Sequence, residues 1–255
     1  MHNEFLEMRA HAWLADLGLY VRRAQNVPWG TARMLYEDVV PRDQPAVILD
    51  IGANVGQTSR AYAHSFPDAT IHAFEPFPRI HAVCRQNLRK FPRIHCHCLA
   101  VGDQCEKRVI ALATEDNHCT FNQITRPAGA DTPAALREEI QVTTLDAFLR
   151  EQRIPTVHIL KTDTEGNELA VFRGGHEALT RGAVRSILVE ATLQEGNTFH
   201  VRLEVITSCL APLHFRFYGL YDISYTPTGE MHVFSALYKL QPPSPSVPST
   251  VGSRK

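Results

Sequence analysis

The length, composition and charge of the chain restrict the kinds of protein it can be. Its 255 residues, of which 44% are hydrophobic and 21% charged, suit a globular domain with one substantial core and are unlike a disordered or fibrous chain. With 26 basic and 27 acidic residues the formal net charge is −1, so no overall field draws the chain to nucleic acid or anionic lipid. No apolar run approaches the roughly 20 residues of a membrane span, and residues 1–4 do not begin a secretory signal, so we expect a cytoplasmic protein.

Three segments of different character follow one another along the chain. Residues 1–45 carry a helical apolar stripe and predict an N-terminal helical cap; a helix lying on a membrane surface is the alternative, but the polar face lacks clustered Lys and Arg. Residues 46–240 are predicted to form the main domain. Residues 241–255 place four prolines among serines and predict a disordered tail.

Within residues 46–240 the pattern predicts alternating strands and helices. The predicted strands are 46–51, 70–74, 94–100, 108–113, 140–143, 157–161, 186–190, 215–220 and 231–238. The predicted helices are 57–66, 79–90, 145–152, 168–172 and 198–210. This alternation is typical of a doubly wound α/β fold, and the last two strands, joined through residues 226–230, add an antiparallel edge.

A turn of small residues, Asp50-Ile51-Gly52-Ala53-Asn54-Val55-Gly56, follows the first predicted strand. Such a turn lets backbone approach a ligand closely, and the helix that follows presents free N–H groups. Asn54 and Gln57 stand where a dinucleotide site requires its second and third glycines, and the Gly-Lys-Ser/Thr ending of a phosphate-binding loop does not follow. The turn therefore favours a nucleoside ligand, with a tight turn that binds nothing as the alternative.

Two further motifs end predicted strands and carry carboxylates. Glu75, followed by Pro76, lies about 20 residues beyond the glycines, where a doubly wound fold places the acidic residue that accepts hydrogen bonds from a ribose. The block Lys161-Thr162-Asp163-Thr164-Glu165-Gly166-Asn167-Glu168 ends a later strand, so Asp163 and Glu165 should face the same cleft. For Glu168 a favourable interaction with the N-terminus of the next helix is the simpler interpretation.

Together with 143–148 and 188–190, these motifs resemble the ordered motifs of FkbM-type O-methyltransferases over residues 46–238. The resemblance implies a doubly wound, mostly parallel seven-stranded Rossmann-like methyltransferase sheet with an antiparallel C-terminal strand, S-adenosylmethionine as donor and a hydroxyl as acceptor. It implies a donor site at Asp50, Gly52, Asn54, Gly56, Glu75 and Pro76. Asp103 is placed like the residue that meets the adenine amino group in related enzymes; an ordinary turn residue is the alternative. Thr164 stands where the family commonly has an apolar residue, which leaves the acceptor open.

The reaction that these residues would perform requires a proton acceptor, because an alcohol is a poor nucleophile until its proton moves. We assign this role to Asp163, with Glu165 and Lys161 orienting the site; His214 is an alternative base. A divalent ion on Asp163 and Glu165, with Glu190 as a third ligand, is a weaker alternative, and we predict no metal. A non-catalytic nucleoside-binding module and an NAD-dependent oxidoreductase are the competing functions.

The remaining residue clusters carry less information about function. In 94–99 strand alternation sends His95 and His97 to one face and Cys96 and Cys98 to the other, which argues against a zinc site. The acceptor is expected to be a small molecule bearing a hydroxyl, selected by residues 1–40 and 114–138. Sugar, lipid, polyketide and peptide acceptors stay open, as does a homo-oligomeric state.

Overall fold

The structure is a computed structural model that describes residues 29–40, 44–112, 128–129, 131–133 and 137–241. Its strands are β1 (Val47–Ile51), β2 (Thr70–Phe74), β3 (Ile94–His97), β4 (Ala100–Gly102), β5 (Glu106–Ala111), β6 (Arg137–Thr144), β7 (Ile159–Thr162), β8 (Ser186–Thr192), β9 (Phe215–Tyr221) and β10 (Val233–Leu240). Its α-helices are α1 (Gln57–Ser65), α2 (Pro78–Leu88), α3 (Leu145–Glu151), α4 (Glu168–Gly174), α5 (His176–Thr180) and α6 (Leu203–Leu210). Short 3-10 helices cover Trp29–Thr31, Arg33–Tyr36 and Ala211–Leu213.

Seven of the described strands form the main sheet, in the order β3-β2-β1-β7-β8-β10-β9. The first five pair in parallel, and β10 runs antiparallel between β8 and β9. The predicted mostly parallel seven-stranded sheet with an antiparallel C-terminal strand is thus confirmed. The strand order reverses between β1 and β7, and ligands of doubly wound sheets bind at the carboxyl ends of the strands at such a reversal.

A second, three-stranded sheet has the order β4-β6-β5. It arises because the single strand predicted over 94–100 is divided: β3 stays on the edge of the main sheet, whereas β4 pairs in parallel with β6. The apolar character of the segment is continuous, so the sequence pattern alone does not show that the chain changes sheets at residues 98–99.

Apolar side chains cover both faces of the main sheet, as a parallel sheet requires. Successive residues of β1 point to opposite faces: Ile48 packs in a cluster with Tyr62 and Phe66, whereas Leu49 packs in a cluster with Phe148. The polar positions of these strands therefore occur mainly where strands end, and that is where the candidate site lies.

The described part of the predicted cap, residues 29–40, packs against the main domain. Tyr36 is buried in the same cluster as Ile48. The Gly30 amide donates to Asp222 Oδ2 at 2.8 Å, and Lys239 Nζ lies 2.6 Å from Asp38 Oδ1. Residues 1–28 and 242–255 lie outside the described residues, so the boundaries of the cap and of the tail stay predictions.

The helix predicted over 198–210 is wrong in its first third, because α6 begins only at Leu203. Asn197 Oδ1 accepts hydrogen bonds from the amides of Phe199 and His200, both at 2.9 Å, and the Thr192 amide donates to the Val201 carbonyl. A side chain that binds nearby backbone amides in this way competes with helix formation. Residues 193–202 therefore form a loop that returns across the end of β8.

The predicted turn at residues 226–230 is present inside the connection between β9 and β10. The Thr226 amide donates to the Glu230 carbonyl at 2.8 Å, and Tyr225 bridges Met231 in antiparallel fashion. Among the helices that the structure describes, none combines the length and apolar character that crossing a membrane requires.

Candidate active site

A cavity opens at the carboxyl ends of β1, β2 and β7, beside the reversal of strand order. Its volume is about 700 Å³ when the space out to the open mouth is included. Its polar lining comes from Asn54, Gln57, Glu75, Asp163, Thr164 and Glu165. Its apolar lining includes Phe77, Ile80, Leu99 and Val101. The three predicted motifs are therefore brought together at one cavity.

The glycines of the first motif have different structural roles. Gly52 has φ +80°, and a Cβ atom there would lie 1.8 Å from the Asp163 carbonyl oxygen, so only glycine lets β1 and the third motif approach this closely. Gly56 has φ +89° and precedes α1, where a Cβ atom would lie 2.8 Å from the Leu88 side chain. Gly52 and Asn54 line the cavity, whereas Gly56 instead packs against α2.

Glu75 holds the glycine turn and the second motif together. Its Oε2 accepts a hydrogen bond from the Asn54 amide and its Oε1 one from the Phe77 amide, both at 3.0 Å. Burial raises the pKa of Glu75 to about 7, although these two amides favour the ionised form. Pro76 beside it also lines the cavity. Each carboxylate oxygen has a second lone pair, so Glu75 can still accept hydrogen bonds from a ligand.

Lys161 lies behind the cavity wall and not in it. Its Nζ lies 3.0 Å from Asp163 Oδ2 and 3.4 Å from Asp50 Oδ1, and it donates to the Gly52 carbonyl at 3.3 Å. Asp50, which is fully buried, also accepts a hydrogen bond from Ser59 Oγ at 2.6 Å. The predicted donor-site residue Asp50 and the predicted catalytic residue Lys161 therefore form one buried network that supports the turn and Asp163.

The ionisation of this network follows from its charges. Burial disfavours the Lys161 ammonium, but the attraction of Asp163 and Asp50 outweighs it and raises the pKa of Lys161 above its usual range. Burial likewise opposes ionisation of Asp163, but Lys161 outweighs it and lowers the pKa of Asp163. Asp163 is accordingly a carboxylate at neutral pH.

The loop after β7 presents Glu165 to the cavity in an uncommon backbone conformation. Glu165 has φ +53° and Gly166 φ +98°, both in the left-handed region. The loop is held by Glu168, whose Oε1 accepts from the Thr164 amide and from Thr164 Oγ1, both at 2.9 Å. Burial, followed by the nearby carboxylate of Asp163, raises the pKa of Glu165 to about 8. The interpretation of Glu168 as a residue at a helix N-terminus was incomplete, because its side chain also shapes this loop.

Two further ionisable residues complete the polar side of the site. Glu190, two residues before the end of β8, occupies the position next to Asp163, since Val189 pairs with Thr162 in the sheet. His200 Nε2 lies 2.9 Å from Glu190 Oε2 and 3.7 Å from Glu165 Oε2. Glu190 was expected from the sequence as part of the family motif 188–190 and as an alternative metal ligand. His200 was missed because residue 200 was assigned to a helix.

The structure separates Asp103 and His214 from the cavity. The Asp103 carboxylate pairs with the exposed Arg173, at 3.1 Å from its NH2 group, and Asp103 does not line the cavity. His214 precedes β9, which runs in the same direction as β8, so it lies at the opposite edge of the sheet from the carboxyl ends. His214 is therefore too far from the cavity to act as the base there.

The cysteine and histidine residues around β3 behave as alternation predicted. His95 and His97 stack with His72 on one face, whereas Cys96 packs with Cys84 on the other. Within the described ranges, no three His, Cys, Asp or Glu side chains are arranged to hold a metal ion. Burial, followed by the repulsion of neighbouring histidines, lowers the pKa of His72 and His97 to about 4, so both are neutral at physiological pH.

Comparison with known proteins identifies the family. The sequence profile of the methyltransferase FkbM domain matches residues 50–212. The chain belongs to this family. It is 28% identical over 165 residues to 2-O-methyltransferase NoeI of Sinorhizobium fredii (58% of this chain, 64% of the relative), and 27% identical over 169 residues to methyltransferase sdnD of Sordaria araneosa (56% and 65%). The chain thus spans slightly less than two thirds of the length of these relatives.

Solved structures of methyltransferases share the arrangement only loosely. A precorrin-6y C5,15-methyltransferase from Geobacter metallireducens superposes with TM-score 0.44 at 12% identity (82% of this chain, 86% of that chain). An rRNA methylase from Streptococcus thermophilus gives 0.46 at 11% identity (88% and 100%). The fold assignment rests on the strand order of the main sheet.

Proposed function

We propose that this protein is an S-adenosylmethionine-dependent methyltransferase that methylates a hydroxyl group of a small or sugar-containing molecule. The observation that carries the proposal is the position of Glu75, a buried carboxylate directly after β2. It accepts a hydrogen bond from the Asn54 amide in the glycine turn and lines the same cavity as that turn. Family membership and a relative named as a 2-O-methyltransferase support the reaction class.

The chemistry of the cavity suits such a donor. The Glu75 carboxylate would accept hydrogen bonds from the two ribose hydroxyls. The apolar side chains of Phe77, Ile80 and Leu99 would contact the base, and the polar groups of Asn54 and Gln57 would meet the amino-acid end. The donor, when bound, supplies a methyl group on a positively charged sulfur, so no covalent intermediate with the protein is required.

The protein's own residues would then position the acceptor and receive its proton. Asp163 lines the cavity with its side chain 32% exposed, and Lys161 keeps it ionised, so it can accept a hydrogen bond from the acceptor hydroxyl. Glu165, which lines the same cavity, would orient the same hydroxyl. Holding the acceptor oxygen in line with the methyl group is expected to supply most of the rate enhancement.

Calorimetric titration with S-adenosylmethionine tests the donor site. We expect wild-type protein to bind it and not NAD, and Glu75→Ala to lose at least tenfold in affinity, since a hydrogen-bonded charged group contributes about 1.5–3 kcal/mol. Glu151→Ala, an exposed carboxylate on α3, is the matched control and should leave affinity unchanged. Binding of NAD in preference to the donor would contradict the proposal.

The acceptor class is tested by release of S-adenosylhomocysteine. Purified protein is incubated with donor and a mixture of methyl glucoside, methyl galactoside, methyl mannoside and catechol. More release with the mixture than in buffer alone supports a hydroxyl acceptor. Donor binding without release above buffer counts against hydroxyl methylation and in favour of a binding module.

A further inference from the structure

Asp163 is well placed to receive a proton but poorly suited to keep it. Its side chain lines the cavity, yet Lys161 Nζ lies 3.0 Å from its Oδ2 and favours the ionised form. A proton taken from an acceptor hydroxyl would therefore be unstable on Asp163 unless a neighbouring group accepted it in turn.

Glu190 and His200 are the neighbouring groups that can do so. Glu190 lies beside Asp163, because Val189 pairs with Thr162 in the sheet, and His200 Nε2 lies 2.9 Å from Glu190 Oε2. The side chains of Glu190 and His200 are 27% and 11% exposed, so the row runs from the cavity wall into a partly shielded region. Glu190 thus stands between Asp163, its neighbour on the adjacent strand, and an imidazole that no part of the proposed function uses.

The imidazole is held in place by its loop. Asn197 Oδ1 accepts from the His200 amide at 2.9 Å and lies 3.4 Å from its Nδ1. With Nδ1 facing this oxygen, Nε2 is the nitrogen that faces Glu190. The loop of residues 193–202, which replaces the predicted start of a helix, therefore brings a titratable ring to the site.

We propose that Asp163, Glu190 and His200 form a proton relay that carries the acceptor's proton away from the methyl-transfer site. The relay rests on the proposed function. In its proton-accepting form Glu190 is ionised and His200 neutral. As the acceptor oxygen forms its bond to the methyl carbon, the carbon–sulfur bond breaks with its electron pair remaining on sulfur, and the hydroxyl proton moves to Asp163. It then passes to Glu190 and to His200 Nε2, and the imidazolium releases one proton to water. Glu190 and His200 act through Asp163 and are positioning residues.

The surrounding charges set the pH range of this relay. Asp163 after β7, Glu165 from the same loop and Glu190 from β8 are the carboxylates that act on His200. Lys161, behind the cavity wall, is paired with Asp163. Burial is the largest cause that raises the pKa of Glu190 to about 7, and repulsion from the Asp163 carboxylate is the second. Burial opposes the charged form of His200, but Glu190 outweighs it and raises the pKa of His200. The proton-accepting form therefore predominates above neutral pH, and kcat/KM should rise with pH through this range.

The test compares His200→Gln, Glu190→Gln and the double variant in the same release assay, with donor affinity measured for each. We expect each single variant to lose about 10–100-fold in kcat/KM near neutral pH, with donor affinity within about twofold of wild type. Because His200 lowers the pKa of Glu190, the acid limb of His200→Gln should move to higher pH. The double variant should lose no more than the worse single variant, since both act in one chain of transfers. His176→Gln on α5 and Glu151→Gln on α3, both exposed, are the controls.

The outcomes separate the relay from the proposed function. If the wild type is active and His200→Gln has the same kcat/KM and pH profile, the relay is overturned and the proposed function stands. Losses in kcat/KM that multiply in the double variant also overturn the relay alone. Absence of wild-type release overturns hydroxyl methylation, and the relay is then judged by NMR titration of the His200 imidazole. Its pKa should fall in Glu190→Gln, because the carboxylate that favours the imidazolium is removed; an unchanged value overturns the pairing. Thermal unfolding identifies any variant that has lost its fold.

Discussion

Replacing Lys161 with methionine removes the charge that holds three parts of the site together. The methionine side chain has a similar length and would stay buried, so the change mainly deletes the ammonium group. Lys161 Nζ lies 3.4 Å from Asp50 Oδ1, 3.0 Å from Asp163 Oδ2 and 3.3 Å from the Gly52 carbonyl oxygen. Asp50 Oδ1 is buried and, within the described residues, has no hydrogen-bond partner, so in the variant its charge would be uncompensated.

The size of the effect follows from burial. Removing one partner of a buried ion pair typically costs about 3–5 kcal/mol. Asp50 is fully buried, whereas the Asp163 side chain is 32% exposed, so solvent screens the interaction between Asp163 and Lys161. We therefore expect a loss of about 3 kcal/mol in the free energy of unfolding, at the lower end of the range. With a urea dependence of about 3 kcal/mol per molar, the midpoint should fall by about 1 M.

The loss should depend on pH in a defined direction. In the wild type the pKa of Asp163 is lowered, so its stabilising contribution is present at neutral pH and is lost as pH falls through the folded-state value. In Lys161→Met the carboxylate has no cation beside it, its pKa rises, and protonation relieves the uncompensated charge as pH falls. The difference between variant and wild type should therefore shrink as the pH falls below neutral.

Urea unfolding followed by circular dichroism at several pH values measures this difference. Lys107→Met is the matched control, because Lys107 makes an ion pair of 2.9 Å with Glu139 on the surface, where both side chains are more than half exposed. Its midpoint should match the wild type. A midpoint shift in Lys161→Met no larger than in the control, or one independent of pH, would refute the reasoning.

Three further predictions concern the cavity. Gly52→Ala should lower the free energy of unfolding by roughly 3 kcal/mol and abolish donor binding, because the new Cβ would lie 1.8 Å from a backbone oxygen. Gly196→Ala is the control, since Gly196 has φ +78° and a Cβ there would meet nothing within 4 Å. It should lose only the backbone cost of about 1–2 kcal/mol. Donor affinity by calorimetry should rise about tenfold between about pH 6 and pH 8 as Glu75 ionises, and a flat profile would contradict this assignment. Asp103→Ala should change donor affinity less than twofold because Asp103 pairs with Arg173 outside the cavity; a tenfold loss would restore the adenine contact predicted from sequence.

Much of the fold could be predicted because its signals are local. Buried parallel strands are short apolar runs that alternate with helices, so the doubly wound α/β class and the positions of Gly52, Glu75 and Asp163 at strand ends followed from the pattern. The seven-stranded sheet was expected from the family resemblance. The predictions of a single strand over 94–100 and of a helix beginning at 198 were wrong, because pairing partners and side-chain caps, which are not local apolar patterns, decide where those elements begin and end.

The sequence by itself determined the family, the alternation of strands and helices along the chain and the carboxylates that line the cavity, since these depend on residues close together in the chain. The tertiary structure alone decided which charges meet. Asp50 and Lys161 lie 111 positions apart in the sequence yet pair behind the cavity, and His200 reaches Glu190 only because the loop after β8 folds back. Ionisation depends on distance and burial in space, and neither quantity is present in the order of residues.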